Sequence, residues 1–184
     1  MSSVYNSNAF YYVILIAFLG YTCYYLWSTF KMLYANIKAR KEYTSKHSKD
    51  EYRSLNKYWV WMLPYLAFII YSIIMMATMD PNMEQAMWFR LAYPVLSLIL
   101  FGQMLVTIIK RRILLGNDGF VYEENYVSWR SVLNMEAKKK GIQRIVEVLG
   151  ANNRKYIMPA DIGKEVHESY EAWRRAKKEK KGKK

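Results

Sequence analysis

The residues able to do chemistry are few and scattered. Two histidines, His47 and His167, do not stand at metal-ligand spacing, and one cysteine, Cys23, cannot build a zinc site. Cys23 also lies inside an apolar segment, where a small packed thiol is the plain reading. Glu123 and Glu124 fall in a turn pattern and read as a solvated hairpin tip. Lys138-Lys139-Lys140 could bind phosphate groups, although a solvated strand end accounts for the triplet as well. Lys110-Arg111-Arg112 prefers water and anionic headgroups. No phosphate loop, nucleophile elbow or dinucleotide fingerprint is present. The residues therefore predict no enzyme, no cofactor and no metal.

The elements that hold these residues divide by charge. The formal net charge is +13, yet 53% of the chain is hydrophobic. Residues 110–184 carry 19 Lys and Arg against 10 Asp and Glu, and residues 31–57 carry 8 against 3. Three uncharged apolar runs separate and precede these blocks, one at about 10–30 ahead of the first block and two, at 58–79 and 91–109, between the blocks. About 20 apolar residues cross the roughly 30 Å hydrocarbon core as a helix. Three transmembrane helices are predicted, within a membrane domain of residues 1–112.

The first span is rich in tyrosine, and Tyr58, Trp59 and Trp61 form an aromatic belt at the entry to the second. The first helix is given an upper limit near Ile37. Beyond it, residues 31–57 read as a solvated basic loop, with a hairpin or short surface helix returning the chain. Asp80-Pro81-Asn82 ends the second helix, and the connection to the third contains Glu84 and Arg90. Gln103 is the most polar residue in any span. An unpaired amide is costly in hydrocarbon, so it should make a helix–helix contact or meet a partner. No ionisable group lies in the middle of a span, which argues against a proton relay or ion-coupled transport. Basic residues flank one side only. The positive-inside rule then predicts a multi-pass protein of the plasma membrane, with the N-terminus outside and the C-terminal domain in the cytoplasm.

After Arg112 the pattern becomes that of short strands. Ile113 to Leu115 precedes an Asn117-Asp118-Gly119 turn, and Phe120 to Tyr122 and Tyr126 to Ser128 flank Glu123-Glu124-Asn125. Val132 to Lys139 alternates, with Leu133, Met135 and Ala137 assigned to one face. Ile142 to Leu149 is β-rich, and Asn152-Asn153 turns into Arg154 to Met158. From Pro159-Ala160-Asp161 a helix follows, with Ile162, Val166, Tyr170 and Trp173 in one apolar stripe. Trp129 reads as a core anchor. The soluble domain is set at 113–178 and a basic tail at 179–184.

Short antiparallel strands closed by one amphipathic helix resemble a pleckstrin-homology (PH)-like domain, as a small α+β sheet or partial barrel. The Asp118-Gly119-Phe120 turn, the stretch from Val127 to Val132 and the terminal helix resemble bacterial membrane-anchored PH-like (bPH-type) proteins. The overall layout resembles the small YobD-like membrane proteins. Residues 113–175 are short for a full PH domain. The resemblance supplies no catalytic residues. It implies a non-enzymatic protein, with self-immunity against a membrane-active bacteriocin or toxin as its role. A scaffold or accessory subunit of a larger membrane complex is the alternative. The partners expected are anionic lipid headgroups, through Lys110, Arg111, Arg112, Lys138, Lys139 and Lys140, and a membrane protein or toxin. Nucleic acid is not expected, because the basic charge is mixed and borders the membrane.

Overall fold

The computed structural model describes residues 2–80, 86–141 and 143–182. Among the described residues three helices are long and apolar enough to cross a membrane, over parts of α1 (Ser2–Lys46) and α3 (Ala86–Lys110) and the whole of α2 (Trp59–Thr78). The turn at Pro81-Asn82, with Glu84, lies outside the described residues, as does Ile142. Arg90 is not in a connection, because α3 already begins at Ala86.

The chain forms two compact units, Met1–Lys31 with Trp61–Val106, and Met32–Val60 with Thr107–Lys184. In the first unit, hydroxyls that hydrocarbon would leave unpaired bond back along their own helices. Thr22 donates to the Phe18 carbonyl (2.7 Å), Thr29 to Tyr25 (2.9 Å) and Ser72 to Phe68 (2.8 Å). Gly102 lets α3 lie against the Tyr25 ring and Leu26 of α1, where a Cβ would collide with the ring.

The second unit is larger than the 113–178 domain set from the sequence. Helix α1 does not stop near Ile37. It runs unbroken to Lys46, with Gly20 as its one glycine and no proline. Its 45 residues extend about 67 Å, more than twice the hydrocarbon thickness. After a 3₁₀ turn, β1 (Tyr52–Asn56) follows. The expected basic loop is therefore helix and strand. The strands after α3 are β2 (Arg112–Gly116), β3 (Gly119–Tyr122), β4 (Asn125–Ser128), β5 (Val132–Lys140), β6 (Gln143–Gly150) and β7 (Lys155–Pro159), with α4 (Ala160–Gly182) last. Helix α4 carries most of the expected tail in its final turns. Lys183 and Lys184 lie outside the described residues.

The strands form two antiparallel sheets, ordered β1-β2-β3-β4 and β5-β6-β7. The chain passes from one to the other through the 3₁₀ turn Trp129–Ser131, and the sheets do not close into a barrel. Between them lies the core of Phe120, Tyr122, Trp129, Val148, Met158, Ile162 and Val166, all at most 1% exposed. Ile162 and Val166 are buried, and Tyr170 and Trp173 pack against the same core, as the stripe predicts. The Trp129 indole donates to the Gly116 carbonyl (3.0 Å), and the Tyr122 hydroxyl joins the sheets by donating to Ile157 (2.9 Å).

The first sheet is covered on its other face too. Leu114 and Val121 point away from the central core and pack with Ala39, Tyr43 and Tyr52. This explains why β2 and β3 bury residues on both faces. On β5 the alternation breaks. The register shifts between Val132 and Asn134, so Val132 turns inward while Leu133 is 63% exposed. Leu133 therefore leaves the face assigned to it, and Met135 packs on the core.

Candidate anion-binding surface

Of the basic residues singled out in the sequence, Arg111 and Lys138 are engaged by acids of the protein itself. Arg111 is 14% exposed in its side chain and donates to Asp161 on α4 (2.8 Å). Its backbone carbonyl accepts from the Lys57 amide (3.1 Å), and the Lys57 ammonium pairs with Glu165 (2.8 Å). These two ion pairs join α4 to the chain on either side of the membrane helices. Lys57 holds the Glu165 carboxyl below the usual carboxylate range.

Lys138 is likewise occupied, by Glu147 across the β5–β6 pair (2.6 Å) and by Glu136 (2.9 Å). The hydrogen bonds that its ammonium donates to Glu147, then to Glu136, raise its pKa. Glu147 also takes Lys155 (3.1 Å). Lys139 is exposed, and Lys140 continues the strand. Lys110 is exposed at the end of α3. Gln103 lies on an exposed face of α3, beside the buried Gly102 and Met104.

Glu123 is not the fully solvated hairpin tip read from the sequence. It adopts a left-handed conformation (φ 53°) and is half-buried, and its carbonyl accepts from the Asn36 amide of α1. Burial raises its carboxyl pKa against the opposing charge of Lys110.

The residues missed in the sequence lie on α1 beyond the first span. Asn36, Arg40 and Tyr43 are buried at 2%, 7% and 5% exposure and follow one another at i, i+4 and i+7. The Tyr43 hydroxyl donates to Asp118 (2.6 Å), which also accepts from Tyr126 (2.6 Å). His47 stacks on Tyr43 (4.0 Å between centroids) and lies 3.5 Å from Asp118. Asp118 sits in the β2–β3 turn, so this cluster clamps the helix to the sheet. Burial alone would raise the Asp118 pKa. The hydroxyls of Tyr126 and Tyr43 outweigh it and bring the pKa below the ordinary value.

Arg40 is the unusual member. One terminal nitrogen donates to the Ser54 hydroxyl on β1 (2.9 Å), while the other, Nη1, is buried with no protein partner. Arg112 is half-buried, and its Nε is also buried without one. Burial, and then the charge of Arg112, oppose the charged form of Arg40. Among the described residues the structure has no group of His, Cys, Asp and Glu that could hold a metal ion. The chain matches no family model, no curated protein and no solved structure.

Proposed function

We propose that this is a non-enzymatic membrane protein whose basic soluble unit works at the anionic headgroup surface of the cytoplasmic leaflet. The carrying observation is how the chain enters that unit. Helix α1 runs into it without a break, β1 leads into α2 through Lys57 and Tyr58 alone, and α3 leads into β2 through Arg111 alone. The covalent chain keeps the basic residues next to these entries, Lys110 and Arg112, close to the ends of the apolar helices, where attraction to headgroups acts over roughly 8 Å in physiological salt. Lys110, Arg112, Lys139 and Lys140 are the headgroup contacts of this reading; Arg111 and Lys138 serve mainly to hold the fold.

A PH-like relationship is part of the proposal. Its support is the pair of antiparallel sheets with a closing helix, in which β1 supplies the strand that residues 113–175 lack. Self-immunity against a membrane-active toxin or bacteriocin is the biological role this relationship suggests. Deleting the gene should sensitise cells to a neighbouring toxin, and unchanged sensitivity would remove that role. Orientation has a direct test in a Cys23→Ser background. An impermeant thiol reagent should label Ser3→Cys and spare Lys155→Cys in intact cells. Labelling of Lys155→Cys would overturn the cytoplasmic placement.

One observation favours the scaffold reading. An open groove of about 430 Å³ runs between α4 and the start of β5, lined by Trp129, Val132, Tyr170, Trp173, Arg174 and Lys177 among others. Aromatic walls with a basic rim suit an acidic protein segment. A gentle-detergent pull-down that returns this chain alone would count against it.

A further inference from the structure

We infer that Arg40 and Arg112 form a specific phosphate-binding site on the outer face of the first sheet, beneath the extension of α1. In the β1–β2 register, Ser54 lies opposite Leu114 and Asn56 opposite Arg112. Paired residues share a face of the sheet. Leu114 packs with Tyr43 of α1, so Ser54, Asn56 and Arg112 all stand on the side that α1 covers. Arg40 enters this space from α1 and is fixed there by its hydrogen bond to Ser54.

The site is built from donors with no protein acceptor. Arg40 keeps Nη1 and Arg112 keeps Nε buried without a partner, and neither forms an ion pair among the described residues. The other basic residues nearby are different. Arg111 is turned to Asp161 and Lys57 to Glu165. Two guanidiniums that feel each other's charge, Arg40 buried and Arg112 half-buried, with no ion pair to either among the described residues, are costly unless an anion joins them. A tetrahedral phosphate offers acceptors to both, and planar guanidinium groups suit it. Arg112 is two residues from the end of α3 and Asn56 three residues before α2, which puts phospholipid headgroups in reach. A free phosphate would satisfy the same donors.

This goes beyond diffuse attraction to the surface, and the two are separable. A site of buried donors should resist salt, whereas surface lysines are screened. The test uses the full chain in a non-ionic detergent at constant high ionic strength, with thermal unfolding as readout. The two probes are inorganic phosphate and a short-chain phosphatidylglycerol.

The unsubstituted protein should show a saturable rise in Tm. Arg40→Met should unfold at a higher Tm than the parent without ligand, because one of two repelling charges is gone, and its ligand shift should vanish. Arg112→Gln should weaken binding at least tenfold, and Arg40→Lys should fold and keep a reduced shift. Substituting Lys138, Lys139 and Lys140 by Gln should leave the shift intact. A response to both probes means that phosphate itself suffices; a response to the lipid alone assigns the site to headgroups. The lipid arm rests on the headgroup reading above, and the phosphate arm does not. No saturable response to either probe, or the same response in Arg40→Met and Arg112→Gln as in the parent, would overturn the site.

Discussion

The two halves of α1 obey opposite rules. Along the first span, large apolar side chains stand outward: Val13 is 64% exposed, Ile16 68% and Trp27 73%. Beyond Lys31 the same helix buries Asn36, Arg40 and Tyr43 while Ile37 is 50% exposed. The difference is what a change of solvent along the helix would produce. An apolar face needs no cover in lipid, so exposure there is the favoured state. In water the helix is held by whatever the sheet offers: an apolar patch at Leu114 and Val121, a carboxylate at Asp118 and a carbonyl at Glu123. One continuous helix thus carries a stretch long and apolar enough to cross a membrane and, beyond it, a structural part of the second unit.

The comparison breaks first at the sheet. If residues 32–46 were a solvated loop, Val121 would face water and tolerate a charge. Since it is 1% exposed under Tyr43, Val121→Asp should destabilise the soluble unit by about 4 kcal/mol, measured by pulse proteolysis in nanodiscs. A matched pair on the helix comes next. Ile16→Arg should hinder membrane insertion by about 3 kcal/mol, while Ile37→Arg should change stability by less than about 0.5 kcal/mol. A glycosylation-site insertion assay reads the first and thermal unfolding the second. Equal effects would erase the distinction between the halves.

Within the membrane unit, Gly102→Ile should cost about 2 kcal/mol by forcing the Tyr25 ring aside, whereas Gly20→Ala should be tolerated because nothing lies within 4 Å of its Cβ position. Detergent-resistance curves would separate them. A smaller loss sharpens the clamp. Tyr43→Phe should lose about 1 kcal/mol, the net worth of one hydrogen bond. The Asp118 carboxyl has a lowered pKa in the folded state, so its contribution is full above its unfolded value. It is lost as pH falls through the folded value. Acid unfolding should therefore be less steep in Asp118→Asn than in the parent.

The parts legible from sequence are those marked by an apolar pattern or by turn-forming residues. The three spans, the stripe from Ile162 to Trp173 and the turns at Asn117-Asp118 and Glu123-Glu124 follow from composition and periodicity. The extension of α1 did not, because its buried stripe is Asn36, Arg40 and Tyr43, which reads as a polar surface. Strand β1 was hidden for a similar reason, since Leu55 is its one residue in the core. Leu133 was misplaced by a register shift that alternation cannot foresee. At the candidate site, the basic residues were visible, but their partners were not. Asp161 stands 50 residues from Arg111, and only the fold shows that this pair is closed while Arg40 and Arg112 keep unpaired donors.

The most direct test of the central claim, that residues 32–56 belong to the soluble unit, is hydrogen exchange on the full chain in nanodiscs. Peptides covering 36–46 and 52–56 should be protected to the same degree as those covering 113–122. In Asp118→Ala, which removes the acceptor of Tyr43, protection should fall in 36–46 and in the first sheet together. Exchange of 52–56 at the rate of an open loop, or loss of sheet protection with 36–46 unaffected, would contradict the account.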